Sequence, residues 1–304
     1  MRAGTAPAVA SLLAATAFWA GNYVVGAGAV AALDPLSLVL LRWSLAVVPL
    51  LVLAQVLERP RWREVARRWP WLLALSGTGL LGYNLLLYTA LRFTDAFHAS
   101  LVNAFNPALI TLAAALFLRE RLTVASTAGV LLALAGVLVV LSRGDPRALL
   151  TGPPGAGDVL MLGAIASWTA YTVLGRRAPR VPPITSTALQ ALLTVLMLAP
   201  LSLAAGGPAL PGTAPVAWAL VFIAACPSVL SYLLWNRALR VVPPGRAGVF
   251  LNLITVFTAL LALAGGQRLQ AAQVAGGVVV LAGVALAGAS ASARPARGAG
   301  GRGR

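Results

Sequence analysis

Apolar runs of roughly 20 residues follow one another along the whole of this 304-residue chain, separated by short loops. Nothing else in the sequence constrains the fold as much. Each run is long enough to cross the hydrocarbon core of a bilayer. A backbone in that medium must satisfy its own N–H and C=O groups, and uninterrupted apolar runs of this length do so as helices. Hydropathy places ten spans, near residues 8–30, 36–57, 70–91, 96–118, 123–141, 157–176, 184–205, 215–237, 246–265 and 272–290. Only 10% of the residues are charged, against about 25% in a soluble chain. The expected fold class is an all-α polytopic membrane protein.

The formal charge of +16 comes from arginine alone, because none of the 23 basic residues is lysine. Most of them lie in loops between spans, a pattern of membrane orientation and not of nucleic-acid binding. With both termini inside, 18 arginines fall on cytoplasmic segments and four (Arg92, Arg143, Arg147 and Arg268) on outer loops, with Arg42 inside span 2. This ratio predicts cytoplasmic termini. The missing lysine excludes Schiff-base chemistry and a phosphate-binding G-x-x-x-x-G-K-[ST] loop, and so excludes ATP-driven pumping by this chain alone. Cys226 is the single cysteine and permits no intrachain disulfide. Residues 1–30 read as an uncleaved first helix, with one basic residue before the apolar run and no A-x-A site.

The chain also repeats itself. AFWAGNYVVG at 17–26 lies over ASWTAYTVLG at 166–175, and GYNLLLYTALR at 82–92 over LSYLLWNRALR at 230–240. ERLTVASTAGVLLALAGV at 120–137 lies over QRLQAAQVAGGVVVLAGV at 267–284. Spans 1–5 therefore recur as spans 6–10. An odd number of spans per copy makes the second copy enter from the opposite side, and the loop charges agree. The loop after span 2 carries five arginines where its counterpart after span 7 carries none. The expectation is ten transmembrane helices as two inverted five-helix repeats, residues 8–141 and 157–290. An outer linker at 142–156 and a disordered Arg-rich tail at 291–304 complete the chain. Inverted repeats are the architecture of secondary transporters, with substrate sites near the midplane.

FWAGNYVV in span 1, LRWSLAVVPLL in span 2, the proline-centred span 4 running into LRERLT, and paired glycines at Gly129/Gly136 and Gly276/Gly283 together resemble the EamA family of the drug/metabolite transporter superfamily. The resemblance covers residues 8–290. It implies a plasma-membrane transporter of two EamA units, associated with efflux of metabolites, amino acids or drugs. It further implies a central cavity built by helices 1, 3, 4, 6, 8 and 9, with helices 5 and 10 peripheral. The second copy departs from the pattern: Thr255 stands against Pro107, and Gln267 against Glu120. Thr255 is expected to bond back to the carbonyl four residues earlier.

Depth follows from a rise of about 1.5 Å per residue. Trp19, Trp168, Asn106, Thr255 and Tyr171 fall roughly 15–20 Å into their spans, near the middle of a core about 30 Å thick. Either the tryptophans line a cavity or they pack. Asn22 and Tyr23 lie one turn beyond Trp19. Asn103, Asn106 and Pro107 share a turn of span 4, where the proline ring crowds the Asn103 carbonyl and supplies no N–H. These amides suit ligand contact, or a hydrogen bond to another helix. Tyr83 and Asn84 in span 3 match Ser231 and Tyr232 in span 8, and Asn252 shares a face with Thr255. Arg42 either snorkels to the outer surface or serves as counter-charge for an anionic or zwitterionic substrate. Glu120, between Arg119 and Arg121, belongs to an intracellular salt-bridge cluster or couples transport to an ion. His98 reads as a polar cap at the outer start of span 4.

The expected function is secondary transport of a small amphipathic organic solute by alternating access, with the export direction implied by the resemblance alone. The rival readings are a channel, a non-transporting scaffold or an intramembrane transferase. With one histidine, one cysteine and no midplane carboxylate, an enzyme has no clustered acid–base or metal set to work with. No cofactor, metal or nucleic acid is expected. The partners are the solute and the bilayer, with helices 5 and 10 as the candidate homodimer surface.

Overall fold

The computed structural model describes residues 5–119, 122–145, 155–242 and 249–292. Every regular element among the described residues is helical. Eight helices are long and apolar enough to cross a membrane: α1 (Ala6–Ala29), α2 (Pro35–Glu58), α3 (Trp69–Ala90), α4 (Ala96–Phe117), α5 (Val124–Leu141), α6 (Ala156–Arg177), α7 (Pro183–Ala204) and α8 (Ala214–Leu239). Two shorter apolar helices follow, α9 (Phe250–Ala264) and α10 (Ala271–Leu286). The outward surface suits lipid, since Val48, Leu116, Leu203 and Trp218 are all more than 60% exposed. A soluble protein would bury such a surface.

The bundle has two ends, named here for their residues. At the aspartate end, Asp34 caps α2 by accepting the Ser37 N–H at 2.9 Å, and Asp95 caps α4 through the His98 N–H at 2.8 Å. Both satisfy donors that a helix start leaves open. The arginine end carries the Arg59–Arg68 stretch and Arg176–Arg180. There Glu58, at the end of α2, caps α7. Its carboxylate accepts the Ile184 and Thr185 N–H groups at 2.9 and 2.7 Å and the Thr185 hydroxyl at 2.7 Å. A carboxylate at a helix N-terminus also meets the positive end of the dipole. This pins α7 to α2, against which it packs lengthwise.

Helices α5 and α10 pack backbone to backbone. A Cβ added at Gly283 would lie 2.4 Å from the Ala133 nitrogen, and one at Gly136 would lie 2.6 Å from the Val280 nitrogen. The glycine faces of these two helices thus meet each other within the chain.

Three spans contain π-helical segments: Ala54–Glu58 at the end of α2, Ser76–Gly82 within α3 and Cys226–Leu230 within α8. The last two stand at matching positions of the repeat. A π segment shifts the carbonyl ladder and opens groups to other helices. In α3 the Thr78 carbonyl accepts the Ser167 hydroxyl of α6 at 2.7 Å. In α8 the Pro227 carbonyl accepts the Trp19 indole N–H of α1 at 3.1 Å. The glycines of SGTGLLG let α6 approach, since a Cβ at Gly79 would fall 2.4 Å from the Tyr171 ring.

Helix α4 is interrupted by a single turn residue, Phe105, one before Asn106 and two before Pro107, between Ala96–Ala104 and Asn106–Phe117. The proline ends the first half instead of merely freeing one carbonyl. Helix α9 starts with a 3₁₀ turn at Val249–Asn252, without proline. The expected Thr255 bond to its own helix is not made. Its hydroxyl donates to the Ser100 carbonyl of α4 at 3.1 Å.

Candidate functional site

The interrupted helices surround a chamber with about 130 Å³ of free space. Its walls are Trp19, Asn22 and Tyr23 from α1, Tyr83 and Asn84 from α3, and Asn103, Asn106 and Pro107 from α4. Trp168 of α6, Tyr232 of α8, and Asn252 and Thr255 of α9 complete the side chains singled out from sequence. The predicted Tyr171 lies instead in a wider vestibule of about 620 Å³ at the arginine end, rimmed by Arg68, Arg176 and Arg180. Trp19, Trp168, Tyr232 and Leu251 line both spaces and form the constriction between them. Ala104, Ile110, Leu251 and Ile254 also line the chamber; as apolar residues in apolar helices they carry no sequence signal. Glu120 lies outside the described residues.

Arg42 does not snorkel. It is only 4% exposed and points into the bundle, where it borders the chamber. Its Nε donates to the Ser228 hydroxyl at 2.8 Å, and its Nη1 donates to Asn84 Oδ1 at 2.6 Å and the Tyr88 hydroxyl at 2.7 Å. Asn22 Oδ1 lies 3.4 Å from the same nitrogen and accepts the Tyr88 hydroxyl at 2.7 Å. The guanidinium also stacks 4.9 Å from the Trp43 ring centroid, a favourable contact for a cation.

Local chemistry in α8 explains this setting. Pro227 has no N–H to offer the Ile223 carbonyl four residues earlier. The Ser228 hydroxyl donates to that carbonyl at 2.7 Å, and its oxygen remains to accept Arg42. Sequence reasoning missed Tyr88 and Ser228 as ligands of Arg42. A proline inside an apolar span was the available signal.

On the opposite wall the Tyr23 and Tyr83 hydroxyls pair at 2.9 Å, and the Tyr83 hydroxyl donates to Asn103 Oδ1 at 3.2 Å. Asn106 Oδ1 accepts the Thr169 hydroxyl of α6 at 3.2 Å. Aromatic rings run from the chamber to the vestibule. Tyr83, Trp168 and Tyr171 follow one another at centroid distances of 5.1 and 4.9 Å. Trp19 meets Tyr232 at 5.8 Å and Trp235 at 5.4 Å. Spacings of this kind are the favoured tilted and edge-to-face contacts.

Toward the aspartate end the space is filled. Tyr88, Phe97, Met161 and Ile165 are buried, and His98 ties three helices together. Its Nε2 lies 2.7 Å from Asp158 Oδ1 of α6, and its Nδ1 lies 3.5 Å from Gln273 Nε2 of α10. His98 is therefore more than the polar cap expected of it.

A multi-pass helical bundle with a polar, aromatic chamber at mid-depth, closed toward one end and continuous with a vestibule at the other, defines a membrane transporter. The comparisons with known proteins give its family. Residues 6–142 and 155–289 each match the EamA-like transporter family, and the chain belongs to it. Members carry the names of transporters, so this protein is a transporter and not an enzyme. The chain is 27% identical over 280 residues to the uncharacterized transporter YyaM of Bacillus subtilis (strain 168), covering 91% of this chain and 90% of that one. It is 31% identical over 274 residues to an uncharacterized transporter of Archaeoglobus fulgidus, covering 88% and 92%. Over 116 residues it is 34% identical to the aromatic amino acid exporter YddG of Ancylobacter novellus, covering 38% of this chain and 40% of that one. A solved crystal structure with 21% identity shares the fold at a TM-score of 0.65, covering 96% of this chain and all of that one.

Proposed function

We propose that the chain is a secondary transporter that moves a small amphipathic organic solute by alternating access, as an exporter in the plasma membrane. The single observation that carries this reading is the asymmetry of the space. A mid-depth chamber is packed shut toward the aspartate end and joins an arginine-rimmed vestibule through an aromatic constriction. A channel needs a continuous polar path; one closed end suits a carrier caught facing a single side.

The rest of the reading rests on sequence. Ten helices form two five-helix repeats inverted in the membrane, both termini are cytoplasmic, and the vestibule faces the cytoplasm. The aromatic lining favours a solute with a flat apolar part, and the partial relative named an aromatic amino acid exporter supports the same class. The test is counterflow of a pooled metabolite set in proteoliposomes, with and without a pH gradient. Saturable exchange of an aromatic or amphipathic solute is expected; flux that never saturates would point to a channel.

A further inference from the structure

We infer that Arg42 is the fixed counter-charge for a carboxylate, so that the chamber selects solutes carrying a carboxylate over their neutral and cationic analogues. The inference rests on the transporter reading above and gives its site a chemical specificity. A guanidinium stays protonated in any protein environment, and burying a charge costs several kcal/mol unless an opposite charge or good hydrogen bonds offset it. Arg42 is 4% exposed, yet its partners Ser228, Asn84, Tyr88 and Asn22 are all neutral.

The chain's own described acids are spent elsewhere. Asp34 and Asp95 cap helices, Glu58 caps α7, Glu64 pairs with Arg61 at the surface, and Asp158 faces His98. Asp145 follows the end of α5, and no described carboxylate lines the chamber.

The amide beside Arg42 is set the same way. Asn22 Oδ1 accepts the Tyr88 hydroxyl and faces Arg42 Nη1, which leaves the Nδ2 donor of Asn22 for the chamber. Asn84 Oδ1 likewise faces Arg42, while its Nδ2 donates to the Leu80 carbonyl at 2.6 Å. A positive charge with adjacent amide donors and no acid is a receptor for a carboxylate. The rings of Trp19, Trp168 and Tyr232 then meet the apolar part of the solute toward the constriction.

The experiment measures binding to the full-length protein in detergent, followed by its intrinsic tryptophan fluorescence. The probes are phenylacetate, 3-phenylpropionate and 4-phenylbutyrate, each with its amide and its matching amine. Loss of a charge-assisted pair predicts that the best acid binds about tenfold or more tightly than its amide, and the amine least. Arg42→Gln, which installs the residue found at the matching position 190, is expected to erase the acid-over-amide preference. Arg42→Lys is expected to keep part of it.

An amide or amine that binds wild-type protein as tightly as its acid overturns the inference. So does the absence of saturable binding by all three acids. The wild-type series decides the matter even if Arg42→Gln does not fold. Counterflow is a separate readout: selective acid binding without flux would defeat the proposed transport of this solute class alone, and flux without acid preference would defeat this inference alone.

Discussion

Ser228 performs two tasks that oppose each other in no way: its proton satisfies the Ile223 carbonyl and its lone pair satisfies Arg42. Ser228→Ala leaves both groups without that partner, at about 1–3 kcal/mol for each buried orphan. Thermal melting in detergent is expected to show a drop of several degrees, which Ser228→Thr restores by keeping the hydroxyl. Asn106 makes one bond, to Thr169, at the chamber wall. Asn106→Ala is expected to reduce transport far more than the melting temperature; full transport would remove Asn106 from the site. Most wall residues were legible as polar side chains at mid-depth in apolar spans, where they are too costly to keep without a use. The aim of Arg42 was not legible. Snorkelling and inward pointing differ only in which neighbour α2 finds, and that neighbour, α8, lies 186 residues away in sequence at Ser228. The ordinary role of a helical serine, a bond back to its own helix, also hid Ser228.

Among elements, α5 and α10 meet backbone to backbone. The atoms that a Cβ at Gly283 would strike are backbone atoms of Ala133 and Gly129, which cannot rotate aside as a side chain does. Gly283→Leu is expected to cost about 1–3 kcal/mol or more, seen as a lower melting temperature and a reduced monodisperse fraction on size exclusion. Gly79 differs, because its obstacle is the Tyr171 ring. Gly79→Ala would push that ring toward the vestibule and perturb transport more than stability, measured as a changed solute affinity with a near-normal melt. The break in α4 was readable from Pro107. The 3₁₀ start of α9 was not, since Val249–Asn252 contains neither proline nor glycine. π segments leave no periodicity signal, although the glycines in SGTGLLG and the proline in CPSVL were their marks.

For the molecule as a whole, the aspartate end is tied by a few side chains that would act as a latch in the proposed cycle. His98, Asp158 and Gln273 join α4, α6 and α10 across the two matched segments at the aspartate end. Combining His98→Ala with Asp158→Asn is expected to loosen that end. In a Cys226→Ser background, a cysteine at Phe97, 4% exposed in this state, should react several-fold faster with a maleimide once the latch is removed. An unchanged rate means that side-chain packing alone holds the end shut. The two copies were legible from aligned strings such as those at 17–26 and 166–175, and the opposed loop arginines suggested their relative direction. Which end stands open was not, because both conformations of such a carrier are built from one sequence.

Arg42 also has an electrical consequence. A chamber that holds a monoanion against that guanidinium is neutral, whereas the emptied chamber carries one positive charge. The return of the empty carrier is then the half-cycle that the membrane voltage acts on. An interior-negative potential favours expelling the monoanion by about 2.3 kcal/mol per 100 mV. Voltage imposed on proteoliposomes with potassium and valinomycin should therefore shift the accumulation ratio reached by an aromatic acid and leave that of its amide unaltered, because no net charge crosses with the amide. An acid ratio indifferent to voltage would mean that a second charge travels with it.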